Sequence, residues 1–299
     1  MSGDDVVDAT TVQQSTLAHE HVNELWESGF RSPRNELFYE LAFDGILEKV
    51  KPPPGSVFLE VGCGPGFHAM RLAGRGYKVK AVDFSDAILD VARENVRAAG
   101  LGHLIAVDHE DLIDLSYDDH SFDYALCWGV LMHVPEVERA IEELSRIVAP
   151  GGHLIVHEGN VHSPEAIAIV AAKRIVRRPG LRRTPAGVEH WKETSAGPLL
   201  TRRANIPWLI AAFERQGLFL RHRLPTQVTE LYVKPPWEWM KNSMYTLNDY
   251  WYRRVGISQL AVGNTLLFQR AESSVRATKT RLDPPNRIRK SICLAALRR

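Results

Sequence analysis

The stretch Val57-Phe-Leu-Glu-Val-Gly-Cys-Gly-Pro-Gly-Phe-His68 constrains this chain more than any other. Val57, Phe58, Leu59 and Val61 read as a short buried strand. Glycines at 62, 64 and 66 break it, and residues 68–75 are helix-competent. A strand that ends in a glycine turn and restarts as a helix brings backbone close to a ligand, because glycine accepts positive φ and carries no Cβ. The helix N-terminus beyond it offers N–H groups to a carboxylate or phosphate.

The chain around this turn alternates. Strands are expected at 57–62, 78–82, 104–107, 122–128 and 153–157, with helices between them. Ser85 is placed to cap a helix carrying Ile88, Val91, Ala92 and Ala99 that stops at Gly100. Pro135 opens another, with Val137, Ile141, Leu144 and Val148 on one side. Strands alternating with helices of this length imply a parallel sheet covered on both faces.

The flanks are less regular. Residues 1–16 are acidic and polar and read as a disordered lead with no signal peptide. A helical cover spans 17–51, with Val22, Leu25 and Trp26 on one face and Leu37, Leu41, Ile46 and Val50 on another. Lys51-Pro-Pro-Pro-Gly55 ends it. After Glu158 the rhythm breaks. Residues 160–201 hold an alanine-rich helix at 165–176 and a basic cluster, Lys173, Arg174, Arg177, Arg178, Arg182 and Arg183. A helix at 206–216 and a strand at 218–224 follow, then an aromatic insertion at 225–260, a last strand at 265–269, and a basic tail at 271–299. The expected division is one domain over 17–270, with the cofactor-binding core at 55–160 and acceptor-side insertions at 160–201 and 225–260.

Charge and cysteines narrow the function classes. A formal net charge of +1 leaves no global footprint for nucleic acid, so no specific nucleic-acid partner is expected. Cys63, Cys127 and Cys293 show neither pairing nor metal spacing, which fits a reduced, cytoplasmic protein.

The glycine turn reads in two registers. From Gly64, the run Gly64-Pro-Gly-Phe-His-Ala69 matches a dinucleotide fingerprint, with Asp83 as the ribose acid. From Glu60, it is Glu60-x-Gly62-x-Gly64-x-Gly66, which places a carboxylate where a pyrophosphate would sit and so suits a cationic or zwitterionic ligand.

With its later landmarks, the second register resembles the class I S-adenosylmethionine-dependent methyltransferases. Those landmarks are Asp83, Asp111-Leu112, Ser121-Phe-Asp123 and Val148-Ala-Pro-Gly-Gly152, in order over roughly 55–160. The resemblance implies a Rossmann-like seven-stranded, mainly parallel α/β sheet with insertions after strands five and six. It implies S-adenosylmethionine as donor, with Glu60, Gly62 and Gly64 at its methionine end and Asp83 on both ribose hydroxyls. Asp111 and Leu112 would meet the adenine, with Asp108 or Glu110 as the alternative acid. Cys63, Gly66, His68, Phe84 and Trp128 complete the expected cofactor contacts.

Methyl transfer is an in-line displacement that needs alignment and, for a hydroxyl acceptor, often a base. His133 is the leading candidate, since imidazole titrates near neutral pH; the competing reading is a packing or capping histidine. His157 and Glu158 are weaker candidates, for substrate contact. The segment ending at His133 also resembles the ubiquinone-biosynthesis O-methyltransferases, but Gly129 and Met132 stand where two glutamates accompany the histidine there. That departure argues against a divalent metal, and none is expected.

The expected acceptor is a small molecule methylated at oxygen: a sugar, a phenol or another natural-product intermediate, lipid-linked acceptors included. Aromatics at 232–252 either wall its pocket or form a subdomain core, with Asp249, Tyr250 and Tyr252 as polar contacts. Peripheral contact with an anionic membrane through 165–183 or 271–299 competes with solvated basic surfaces. Outside this class stand a non-catalytic S-adenosylmethionine-binding module and an NAD(P)-dependent oxidoreductase.

Overall fold

The computed structural model describes residues 9–18, 33–175, 181–230 and 237–272. Its centre is a seven-stranded sheet in the order β3-β2-β1-β4-β5-β10-β9. The strands are β1 (Val57–Val61), β2 (Lys78–Asp83), β3 (Ile105–His109), β4 (Phe122–Trp128), β5 (Val148–Gly159), β9 (Leu218–Pro225) and β10 (Gly263–Arg270). β1 to β5 pair in parallel, and β10 runs antiparallel between β5 and β9. The strand order reverses between β1 and β4, which leaves a crevice beyond their C-terminal ends.

Two apolar clusters fill the faces, and strand alternation assigns residues to each. Leu59, Val61, Ala125, Cys127, Leu154 and Val156 face α5 (Val137–Ile147) and α7 (Ile206–Arg215). Phe58, Leu126 and Ile155 face α2 (Pro33–Val50), α3 (Phe67–Ala73) and α4 (Asp86–Ala98). Ser85 caps α4 as expected, its hydroxyl accepting from the Ile88 N–H at 3.5 Å.

Three expectations are corrected. The lead is not unstructured to residue 16: Ala9–Leu17 is a helix, α1. It buries Thr10, Gln13 and Thr16 rather than apolar residues, so hydrophobic periodicity gives no signal there. The first insertion is more than a helix. After α6 (Pro164–Ile175) come β6 (Leu181–Thr184), β7 (Gly187–Thr194) and β8 (Gly197–Ala204), an antiparallel three-stranded sheet with β8 at one side. In the second insertion, α8 (Glu238–Tyr250) leaves Trp237, Trp239 and Tyr250 58%, 67% and 60% exposed, so they neither wall a pocket nor form a core. Tyr252 packs edge-on against Phe38 of α2.

The expected faces around Val22, Leu25 and Trp26, residues 176–180 of the basic segment, Tyr232, and the tail from 273 lie outside the described residues. Among the described residues, no helix is long and apolar enough to cross a membrane.

Candidate functional site

The turn after β1 is held from two sides. The N–H groups of Gly62 and Cys63 both donate to the Val82 carbonyl, at 2.8 and 2.9 Å. The N–H of Gly64 donates to Asp83 Oδ2 at 3.0 Å, and that of Ser85 to Asp83 Oδ1 at 3.1 Å. One carboxylate at the end of β2 thus ties the glycine turn to the start of α4. Burial raises the Asp83 carboxyl above its usual range, against the lowering effect of these backbone donors. Gly62 has φ +72°, and a Cβ there would lie 2.4 Å from a methyl carbon of Val130. At Gly64, with φ +51°, nothing stands within 4 Å of a Cβ position.

A cavity of about 590 Å³ opens on this turn. Gly62, Cys63, Gly64 and His68 line it, with Asp83, Phe84, Asp111, Leu112 and Trp128 further along. Asp111, not Asp108, is on the wall: its Oδ2 accepts from Gln14 Nε2 at 2.7 Å and its Oδ1 from the Ile113 N–H at 3.1 Å. Glu110 also reaches the wall, but its carboxylate is engaged by the Ser116 hydroxyl and N–H. Burial raises the Cys63 thiol well above its usual value, so it remains protonated.

Three expected contacts are off the wall. Glu60 is 1% exposed beneath the turn, where the Ala69 N–H in the first turn of α3 approaches it; burial pushes its carboxyl up to about 8. Gly66 instead gives α4 its close approach, with Ala92 3.5 Å from a Cβ position. Glu158 follows His157 in β5, and successive strand residues point to opposite faces, so only one of the pair can reach the cavity. His157 is on the wall. Glu158 is buried behind it, with no hydrogen-bond partner of normal geometry among the described residues, and burial pushes its carboxyl up to about 8.

The histidines occupy distinct settings. His157 pairs in register with Trp128 across β5 and β4, and their rings stack at 4.1 Å and 9°. Its Nδ1 lies 3.1 Å from Thr265 Oγ1, and burial lowers its pKa to about 3. His68 stacks on Phe43 with its Nδ1 3.1 Å from Arg71, and burial holds it well below the normal histidine value. His133 lies in the short 3₁₀ turn Leu131–His133 and lines the cavity. Its Nδ1 is 2.8 Å from the Leu200 carbonyl, which can only accept, so Nδ1 carries the hydrogen and Nε2 is the basic nitrogen. Burial lowers this imidazole to about 4.

Helices α2 and α3 and strand β8 supply wall residues that sequence reasoning missed. Tyr39 and Arg71 form a cation–π pair at 4.8 Å, and Arg71 also binds Glu36 and Glu40. Burial pushes the Tyr39 phenol up to about 12. Arg202, 2% exposed, donates to the carbonyls of Leu131 and Val134, both at 2.9 Å, and pairs with Glu189 at 2.8 Å. It clamps the turn that carries His133.

The family model described as a methyltransferase domain matches residues 59–156. That match spans about a third of the chain and takes in the glycine turn and β1 to β5. Among curated relatives, it is 37% identical over 108 residues to a demethylmenaquinone methyltransferase of Bacillus cytotoxicus, covering 35% of this chain and 45% of that one. It is 34% identical over 158 residues to a ubiquinone biosynthesis O-methyltransferase of Alkalilimnicola ehrlichii, covering 51% and 60%. The chain spans about half the length of the curated relatives it matches. In fold, it is similar to the magnesium protoporphyrin IX methyltransferase of Synechocystis PCC 6803, solved with bound S-adenosylhomocysteine. The TM-score is 0.57 at 15% identity, over 88% of this chain and 100% of that one. The matched region thus holds the glycine turn, Asp83, Asp111 and His133, while the Arg202 clamp comes from outside it.

Proposed function

We propose that this protein transfers the methyl group of S-adenosylmethionine to a hydroxyl of a small, planar, acidic acceptor such as a phenol. The observation that carries this reading is a single cavity that joins the glycine turn, Asp83 and Asp111-Leu112 to His133. The residues suit the donor: open backbone at Gly64 for its amino-acid end, a buried carboxylate at Asp83 for the ribose diol, and Asp111 beside Leu112 for the adenine edge and face. When bound, the donor supplies a methyl group already activated on a sulfonium.

His133 is then the group that receives the acceptor proton, through Nε2. An imidazole lowered to about 4 is unprotonated at neutral pH but a weak base. Proton transfer to a weak base is effective from an acidic hydroxyl and poor from an aliphatic alcohol, which favours phenols over sugars. The aromatic walls around Tyr39, Trp128 and His157 accept a flat ring.

Calorimetry with S-adenosylhomocysteine tests the donor half. We expect binding to wild type and a loss of at least about tenfold in Asp83→Ala, the order of one or more charge-assisted hydrogen bonds. Stabilisation by NAD(P)H and not by S-adenosylhomocysteine would overturn it. Methyl transfer to a panel of phenols, sugars and lipid-linked glycans tests the acceptor half; turnover of sugars alone would refute the phenol preference.

A further inference from the structure

The candidate base is fixed by the N-terminal helix, at a residue with no catalytic chemistry of its own. β8 has β7 on one side only, so its other edge must find partners elsewhere. At Leu200 the side-chain amide of Gln13 takes both backbone groups, as a neighbouring strand would. Gln13 Oε1 accepts from the Leu200 N–H at 2.6 Å, and Gln13 Nε2 donates to the Leu200 carbonyl at 3.2 Å. That same carbonyl accepts from His133 Nδ1 at 2.8 Å. Gln13 is 1% exposed, so solvent offers the Leu200 peptide no ready substitute.

Helix α1 is itself anchored at two further points. Thr10 donates to Glu136 at 2.8 Å, just before α5, and Gln14 donates to Asp111 at 2.7 Å. Consecutive glutamines therefore line the cavity and hold different parts of it. Gln14 holds the acid expected at the adenine, and Gln13 holds the peptide that orients the histidine.

We infer that Gln13 is a positioning residue for His133: it fixes the Leu200 peptide, which fixes the imidazole as the Nδ1–H tautomer with Nε2 as the proton acceptor. The inference rests on the reading of His133 as the base, but the tautomer it specifies is observable without turnover. The Leu200 carbonyl accepts two hydrogen bonds in this arrangement. With the Gln13 amide gone, β7 still holds the strand, but the outward-facing N–H and carbonyl of Leu200 lose their shared partner, so the carbonyl can tilt off the imidazole and the tautomer preference relaxes.

The test is imidazole nitrogen NMR on histidine-labelled protein, with the His133 signal assigned by its disappearance in His133→Gln. Wild type should show His133 as the Nδ1–H tautomer. In Gln13→Met the tautomer ratio should shift toward Nε2–H by about fivefold, the equivalent of one modest hydrogen bond. Gln13→Asn, which shortens the amide by one methylene, should shift it in the same direction and serves if Gln13→Met does not fold. An unchanged tautomer in a folded variant would overturn the inference. Calorimetry with S-adenosylhomocysteine on the same samples keeps the two questions apart: wild type that fails to bind it refutes the donor reading, whatever the tautomer does.

Discussion

Replacing Gly62 with alanine should destabilise the protein through two separable costs. The first is conformational: a non-glycine residue held at φ +72° costs about 1–2 kcal/mol. The second is steric. The new Cβ would stand 2.4 and 2.8 Å from the two methyl carbons of Val130. Valine is stiff at χ1, so a turn or a strand end must give way, at about 1–3 kcal/mol. Together these come to roughly 2–5 kcal/mol. Val130→Ala alone removes two partly buried methyl groups and should cost about 1 kcal/mol. In the double variant most of the steric cost disappears, with only the Cβ of residue 130 still 3.2 Å from the new one, and the conformational cost remains. The cycle should therefore show a coupling of about 1–3 kcal/mol in favour of the double variant. Equilibrium urea unfolding, extrapolated linearly to water, measures all four corners. Costs that add to within about 0.5 kcal/mol would show that the two residues do not collide, and would refute the packing described for the turn.

Two more perturbations probe buried charge. Because burial raises the folded Glu60 carboxyl to about 8 from its ordinary 4.5, the native state holds its proton where the unfolded chain has lost it. Stability should therefore fall as pH rises from about 4.5 to 8. Glu60→Gln should reduce that fall in thermal melts at several pH values, leaving the share that Glu158, raised over the same range, contributes; an unchanged slope would place the titration elsewhere. Arg202→Met should cost about 3–5 kcal/mol by stranding Glu189, and Arg202→Met with Glu189→Met should recover most of it, as read by urea unfolding.

The inner strands of the sheet could be read in advance because they are largely buried on both faces and appear as apolar runs between glycine and proline stops. The same holds for Asp83 and Asp111, whose distances from the turn follow from strand and helix lengths. What could not be read is held by polar residues. Helix α1 buries Thr10, Gln13 and Thr16, and β6 to β8 carry Arg182, Arg183, Lys192, Arg202 and Arg203, so neither shows an apolar period. The placement of Glu60 and Glu158 needed three dimensions too. A carboxylate beside a ligand turn and one beneath it have the same sequence signature, and only the facing of β1 and β5 separates them. The Trp128–His157 stack was available in principle, since both residues end neighbouring parallel strands, but their register is a tertiary fact.

The position of β10 sets a limit on how this chain can be made. β9 has β10 as its partner in the sheet, and β10 in turn pairs with β5 across more than a hundred residues of intervening chain. A ribosome that has released everything up to residue 262 has therefore produced β5 with an uncovered edge and β9 with no place in the sheet. Until Gly263–Arg270 emerges, the nascent protein exposes an open strand edge of the kind that recruits other chains. Chains interrupted before that point should accumulate as aggregates rather than as a smaller folded protein.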